Sequence, residues 1–304
     1  MQTKARIWTI ATLTALAFQT AGAQAVKRGA VASTRTDAGL SEAGSSDPVK
    51  TLRAAAEALG MLRWSDIGTE NVHLPAVDVV NTVELWGSGT TYSVGQPYKT
   101  QYHACIGYNP AAMRVEITRT SSGVAQSPAA PQHTIEVVRD RYAWDESEIG
   151  GGLVPGKGTA TPAITAAKSR LLQLWILPYG VVKAALAAGD KVKISDENGS
   201  TIIAFPLSGP LAGVMVRATL NDKNEVVKVE TRSVDPTLSE MVTKTEYSDY
   251  VDHGEILTDI KSPGHIIQEQ EGHPALDIHV TKVDANNPYL VFPVPENVKK
   301  AKTP

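Results

Sequence analysis

From Lys191 to Val283 the apolar residues fall on alternate positions. Val192 and Ile194 lead into Asn198-Gly199, a pair that tolerates the positive φ values of a two-residue hairpin turn, and Ile203 and Phe205 return from it. Val214, Val216, Ala218 and Leu220 alternate up to a turn at Asn221 to Glu225, and Val227, Val229 and Thr231 come back. The segments Thr243 to Tyr250, Glu255 to Ile260, His265 to Glu271 and Leu276 to Val283 follow, separated by Asp252-His253-Gly254, Ser262-Pro263-Gly264 and Gly272-His273-Pro274. A period of two sends successive side chains to opposite faces of a sheet, so each run reads as a strand with one buried face. No helical run intervenes, and the pattern predicts an antiparallel meander rather than a parallel α/β sheet.

The first half of the chain mixes two periods. Thr82 to Val94 and Gln101 to Thr118 are rich in β-branched and aromatic residues, with irregular joins expected at Gly87, Gly89, Gly107 and Asn109-Pro110. A Ser/Ala/Pro/Gly loop at Thr120 to Pro131 precedes a strand at His133 to Arg139, where Ile135 and Val137 alternate with polar neighbours. Helical spacing occurs twice. Asp47-Pro48 supplies an N-cap and a first-turn proline before Val49, Leu52, Ala56 and Leu59, with Gly60 to end the helix. Thr161-Pro162 is expected to cap a second helix carrying Ile164, Ala167, Leu171, Leu174 and Trp175 on one stripe. Pro178 and Gly180 break or kink it, and Val181 to Ala188 forms a shorter helix stopped by Gly189. The resulting picture is α+β, mainly antiparallel β: a curled sheet, or half-barrel, wrapped around one or two helices. One domain is expected over 48–298, with helices near 48–59 and 163–188 and a tail at 299–304. The Ile164 to Trp175 stripe covers the apolar face of the sheet, with Trp175 in the core.

Composition narrows the setting. The 304 residues are 42% hydrophobic and 20% charged, a globular mixture. A net charge of −3, with no Lys/Arg-rich block, lacks the electrostatic footprint of a nucleic-acid binder. Lys4 and Arg6, the apolar run Ile7 to Phe18 and Ala21-Gly22-Ala23 have the layout of a secretory signal over 1–23, cleaved near Ala23 and followed by a flexible leader over 24–47. The expected location is periplasmic or secreted. Cys105 is the only cysteine, so no intramolecular disulfide can form, and its strand-like neighbours make it a small buried hydrophobe.

Candidate chemistry is sparse. Gly151 to Thr159 approaches the spacing of a phosphate-binding loop, but Gly158 stands where Ser or Thr is needed, and no buried parallel strand precedes it. His265, His273 and His279 fall near Asp277, yet His273 is expected in a turn and His279 on a solvated face with Asp277 and Thr281. Asp249, Asp252 and Glu255 could pair as acid and base, although aspartates at a hairpin turn have ordinary backbone reasons to be there. No G-x-S-x-G elbow occurs. No catalytic residue, cofactor, stoichiometric zinc or other metal is expected.

Three groups of residues carry a resemblance. Leu85-Trp86-Gly87-Ser88-Gly89, Leu172-Gln173-Leu174-Trp175 with Pro178 to Leu186, and Tyr247-Ser248-Asp249-Tyr250 with Gly254 resemble the β-rich N-terminal region of exported bacterial metallo-β-lactamase-fold proteins, over residues 84–298. Val229 to Ile267 also resembles the half-barrel of lipoprotein-carrier proteins of the LolA/LolB type, a curled sheet around an apolar cavity. In the first group a zinc-hydrolase domain with an H-x-H-x-D-H motif would follow, and none of the histidines here has that spacing. The second implies a non-catalytic exported protein that binds a lipid or other hydrophobic ligand, or an envelope partner. Independently, a meander this long must curl, and curvature around one or two helices leaves apolar space beside the Ile164 to Trp175 helix, with Leu171, Leu174, Trp175 and Tyr179 as the expected ligand-binding residues. The first implies, as the alternative, an accessory domain acting beside a separate metallo-hydrolase.

Overall fold

The computed structural model describes residues 47–61, 64–65, 72–73, 80–93, 95–121, 132–233, 242–253 and 260–302. The expected signal segment, nearly all of the leader, most of the Thr120 to Pro131 loop and all but the last residue of Glu255 to Ile260 lie outside these residues.

Thirteen strands form one antiparallel sheet. The first six are β1 (Thr82–Ser93), β2 (Gln96–Tyr108), β3 (Ala111–Ser121), β4 (Gln132–Arg139), β5 (Tyr142–Glu146) and β6 (Ala160–Pro162). The rest are β7 (Lys193–Glu197), β8 (Ser200–Pro206), β9 (Val214–Leu220), β10 (Val226–Ser233), β11 (Val242–Ser248), β12 (His265–Gln270) and β13 (His273–Ala285). Within β1–β6 and within β7–β13 each strand pairs with its neighbour in sequence, and β13 returns to pair with β1 in the middle of the sheet. Two meanders therefore share a central seam, with β6 and β7 as the outer edges. Adjacent strands rotate by roughly 20–25° on average, so a sheet this wide curls, and it does so without closing.

Four helices are described: α1 (Pro48–Ala58), α2 (Ala167–Ile176), α3 (Pro178–Ala188) and α4 (Glu296–Lys300). Asp47 caps α1 by accepting a 3.0 Å hydrogen bond from the Val49 N–H at Oδ1, as its position before Pro48 predicts. Between α2 and α3 the chain bends by 96°. The cause is local: a residue before proline is pushed out of the helical region, and Leu177 sits at φ −62°, ψ 149° ahead of Pro178. Among the described residues no single helix is long and apolar enough to cross a membrane. On the concave face α2 buries Leu171, Leu172, Leu174 and Ile176, each worth about 1.5–3 kcal/mol when withdrawn from water.

Four details depart from the pattern reading. Thr161 and Pro162 belong to the edge strand β6, paired with β5, so the helix begins after them with a tight turn at Ile164–Ala166. Gln101 to Thr118 is strand on both sides of Asn109-Pro110, as expected, but Gly107 stays within the β2–β3 hairpin and does not interrupt it. His273 opens β13, because Glu271 and Gly272 make the turn themselves at φ 52° and 76°. Trp175 is only partly buried, at the rim of the core, since the bend at Leu177 leaves one side of α2 uncovered.

The convex face holds a second, smaller core. Cys105, Ile135, Val137 and Trp144 are buried there beneath Phe292 and Val298 of the C-terminal segment. Gly107 makes room for this strap: a Cβ at that position would lie 3.2 Å from the Phe292 ring. Arg139 donates to the Phe292 carbonyl at 2.9 Å, and Asn297 donates to the Ala160 carbonyl at 2.6 Å, blunting the β6 edge. The opposite edge, β7, is instead defended by exposed charge at Lys193, Asp196 and Glu197.

Candidate ligand-binding site

α2 lies over β3, β4 and β5, and the bend carries α3 away towards β8. Between α2 and the central strands this leaves a hollow of about 260 Å³, floored by Tyr102, Met113, Val115, Ile117 and Leu276. Behind it a narrower space of about 40 Å³ runs between Leu85, Ala104, Ile176 and Ile278, sharing Tyr102, Met113, Gln173, Gln268 and Leu276 with the mouth. Together they reach the lower end of the range for small-molecule sites, roughly 300–1,000 Å³. An apolar floor with a few placed polar groups is the usual composition of such sites.

The polar groups are held by the sheet. Gln268 donates from Nε2 to Gln173 Oε1 at 2.9 Å and to Thr245 Oγ1 at 3.1 Å, bridging α2 to the strands. At the rim, Arg119 donates from Nε to Thr91 Oγ1 at 2.9 Å, and Thr91 is paired in turn with Thr100 at 2.8 Å. Both threonines are buried, so they hold the guanidinium through Nε, and Arg119 lines the hollow. Arg170, beside it, is consumed structurally: it donates to the carbonyls of Val137 and Trp144 and pairs with Asp145 and Glu136, tying α2 to β4 and β5. Burial, and then the Glu136 charge, push the Tyr102 phenol above its ordinary range, so it stays neutral and supplies no base.

A separate hollow of about 240 Å³ lies between α2 and α3, lined by Leu171, Trp175, Ala184, Pro206 and Leu211. Two of the residues expected to bind ligand, Leu171 and Trp175, line this second hollow. The other two do not. Leu174 is fully buried, and Tyr179 is buried with its hydroxyl 2.6 Å from the Lys261 carbonyl and 2.7 Å from Ser262 Oγ. Pattern reading missed Tyr102, Met113, Arg119, Gln173 and Gln268. The available signal was the polar residues on an otherwise apolar face, Thr91, Thr100, Thr245 and Gln268, all buried.

The other candidates separate cleanly. The Gly151 to Thr159 loop spends its backbone donors on itself, Gly151 to Glu148 and Lys157 to Val154, and follows an antiparallel strand. Asp249 occupies a turn at φ 55°, and Glu255 lies outside the described residues. His265, Asp277 and His279 do meet, on the convex face, without His273. Cys105 is buried as expected, yet in polar company. His103 lies 2.8 Å from Glu84 through Nε2 and 3.2 Å from Glu116 through Nδ1, and it stacks on Trp86 at 4.8 Å. Hydrogen bonding to Cys105, then to Glu116 and Glu84, pushes His103 up to about 10. A charged imidazolium between two carboxylates cannot serve as a general base, and Arg114 lies 3.4 Å from the sulfur. The cluster is an ion-pair network beneath Asn287, which donates to Glu84 at 3.1 Å.

No family model matches the chain, and no curated protein matches it. Among solved structures, a domain from Vibrio parahaemolyticus described as that of an outer membrane lipoprotein-sorting protein is 8% identical, with a TM-score of 0.45 over 79% of this chain and 94% of that one. A DUF1329 family protein from Desulfovibrio piger is 10% identical, with a TM-score of 0.45 over 80% of this chain and 95% of that one. Neither is described as a metallo-β-lactamase-fold protein. At such likeness the function has to be read from the cavity itself.

Proposed function

We propose that this protein is an exported, non-catalytic carrier or binder of a single-chain amphiphile, whose apolar chain enters the hollow beneath α2 while its anionic head meets Arg119. The observation that carries this is the arrangement of the concave site: Ala104, Ile176 and Ile278 at the narrow end, Tyr102 and Leu276 shared by both parts, and Arg119 in the wider part, where the neighbouring carboxylate of Glu136 is paired with Arg170. A hydrogen bond to a charged group is worth about 1.5–3 kcal/mol, enough to set which end of the guest faces outward. The basic start, apolar run and Ala21-Gly22-Ala23 support export, and the guest class suits an envelope protein.

The test is titration of the purified chain with a fluorescent long-chain fatty acid and with the matching alcohol. Saturable binding of both is expected, with Arg119→Gln weakening the acid roughly ten- to hundredfold, as about 1.4–2.8 kcal/mol implies, and sparing the alcohol. Absence of saturable binding to either would remove the carrier reading. Specific capture of a metallo-hydrolase by a chain that binds no amphiphile would put the accessory-domain reading in its place.

A further inference from the structure

The convex face of the central seam carries three metal-type ligands that the hairpin register, not the sequence spacing, brings together. His265 on β12 stands directly opposite His279 on β13, and Asp277 is two residues before His279 on the same face. Side chains directly opposite on antiparallel strands have Cβ atoms about 4.5–5.5 Å apart, which is the reach of two imidazoles to one ion. Their rings face each other at 4.1 Å and 14°, and His265 Nε2 lies 2.7 Å from Asp277 Oδ1. One ligand atom from each residue lies within 4.8 Å of the other two. Donors on a tetrahedral zinc, at about 2.0–2.1 Å from the ion, stand about 3.3 Å apart, so small side-chain rotations close the set.

We propose that His265, Asp277 and His279 bind one divalent zinc-class cation, the ion replacing the proton between His265 and Asp277 and keeping an open position for water. His279 is exposed and Asp277 partly so, which gives an entry path. The paired positions around the three are Ser248, Ile267, Ser88 and Thr90, and Lys282 on the same strand is turned away to Asp284 and the Trp86 face. Among the described residues no Lys or Arg pairs with Asp277. The contrast is with Glu84, His103 and Cys105, equally close together but with Arg114 among them and the cysteine fully buried. Three protein ligands plus water is the composition of an open zinc site, whereas closed structural sites use four.

Equilibrium dialysis of the purified, untagged chain against zinc chloride is expected to give one ion per chain. His265→Ala and His279→Ala should each weaken binding at least about tenfold, a loss that even an outer partner of a ligand can cause. His273→Ala, on the same strand but outside the cluster, should leave it unchanged. His279 is exposed, so its substitution leaves the fold intact, and circular dichroism checks this. With cobalt(II) the visible bands should be those of nitrogen and oxygen ligands. Three results would each overturn the proposal: no stoichiometric zinc on the parent chain, affinity unchanged in both His265→Ala and His279→Ala, or a near-ultraviolet thiolate-to-cobalt band, which would put the ion on Cys105.

Discussion

Ala104→Val tests whether the narrow end of the concave hollow is real space that a guest enters. Ala104 is fully buried on β2, and its methyl group faces the space of about 40 Å³ behind Tyr102. Valine adds two methyl groups at a strand position that suits a β-branched side chain. Burying them contributes up to about 1.6 kcal/mol, at about 0.8 kcal/mol each. Removing the void contributes about 1 kcal/mol at about 24 cal/mol per Å³, and the two terms overlap. The expected net effect is a gain of about 1–2 kcal/mol in urea unfolding at constant m-value. The same two groups then occupy the place of the last two methylenes of a long-chain guest. That chain should bind about tenfold more weakly, following from about 1.6 kcal/mol, while a chain two carbons shorter is unaffected. Loss of more than about 1 kcal/mol of stability would show an already filled core, where overpacking costs about 1–3 kcal/mol. Equal affinities across the chain-length series would show that the guest never reaches Ala104.

Trp175→Ala should cost about 1–3 kcal/mol by urea unfolding, below the roughly 3–5 of a fully buried aromatic, because the half-buried indole borders the hollow between α2 and α3; a loss at the upper figure would mean that hollow is closed in solution. The imidazolium of His103 stabilises the fold fully below about 6.5, its ordinary value, and the contribution disappears as pH rises towards about 10. His103→Gln should therefore lower stability at pH 6 and nearly match the parent at pH 10, and an offset that stays constant with pH would contradict a charged His103. Glu116, held below its ordinary range first by the hydrogen bond from His103, works at the other end: its contribution is present above about 4.5 and is lost as pH falls through the depressed value. N-terminal sequencing of exported material should find Gln24 first, and an intact Met1 on a membrane-bound product would refute cleavage.

The β7 to β13 half was readable because its strands bury one face. β9 alternates strictly, with Val214, Val216, Ala218 and Leu220 inward, and Asn198-Gly199 and Asn221 to Glu225 mark turns that occur where expected. The β1 to β6 half was harder. In β2 Ala104, Cys105 and Ile106 are all buried, since α2 covers one side and the Phe292 strap the other, so the period of two is lost. β5 was missed for a related reason: it buries the adjacent Ala143 and Trp144 while Asp145 stays exposed, so a five-residue strand shows no period of two.

The same asymmetry explains the site. Leu171 and Trp175 are conspicuous because a helical stripe advertises them, yet a stripe identifies only what a helix turns inward, and the bend at Leu177 decides which part of that inward face stays uncovered. The concave hollow is defined by residues from both meanders, Tyr102 and Met113 from one, Gln268 and Leu276 from the other, which meet only because β13 pairs with β1. That pairing is the longest-range contact in the sheet. A site built across it leaves no spacing signature, only polar residues on an apolar face, whereas the His265, Asp277 and His279 cluster on the reverse lies within one hairpin, and its members already stand close together in sequence. Both nevertheless depend on the register of β13, the hollow through its pairing with β1 and the cluster through its pairing with β12. A one-residue slip there would carry the histidines into the hollow and its apolar floor out to solvent. The two proposed sites should accordingly be lost together when the seam is disturbed, and separately when Arg119 or His279 is changed.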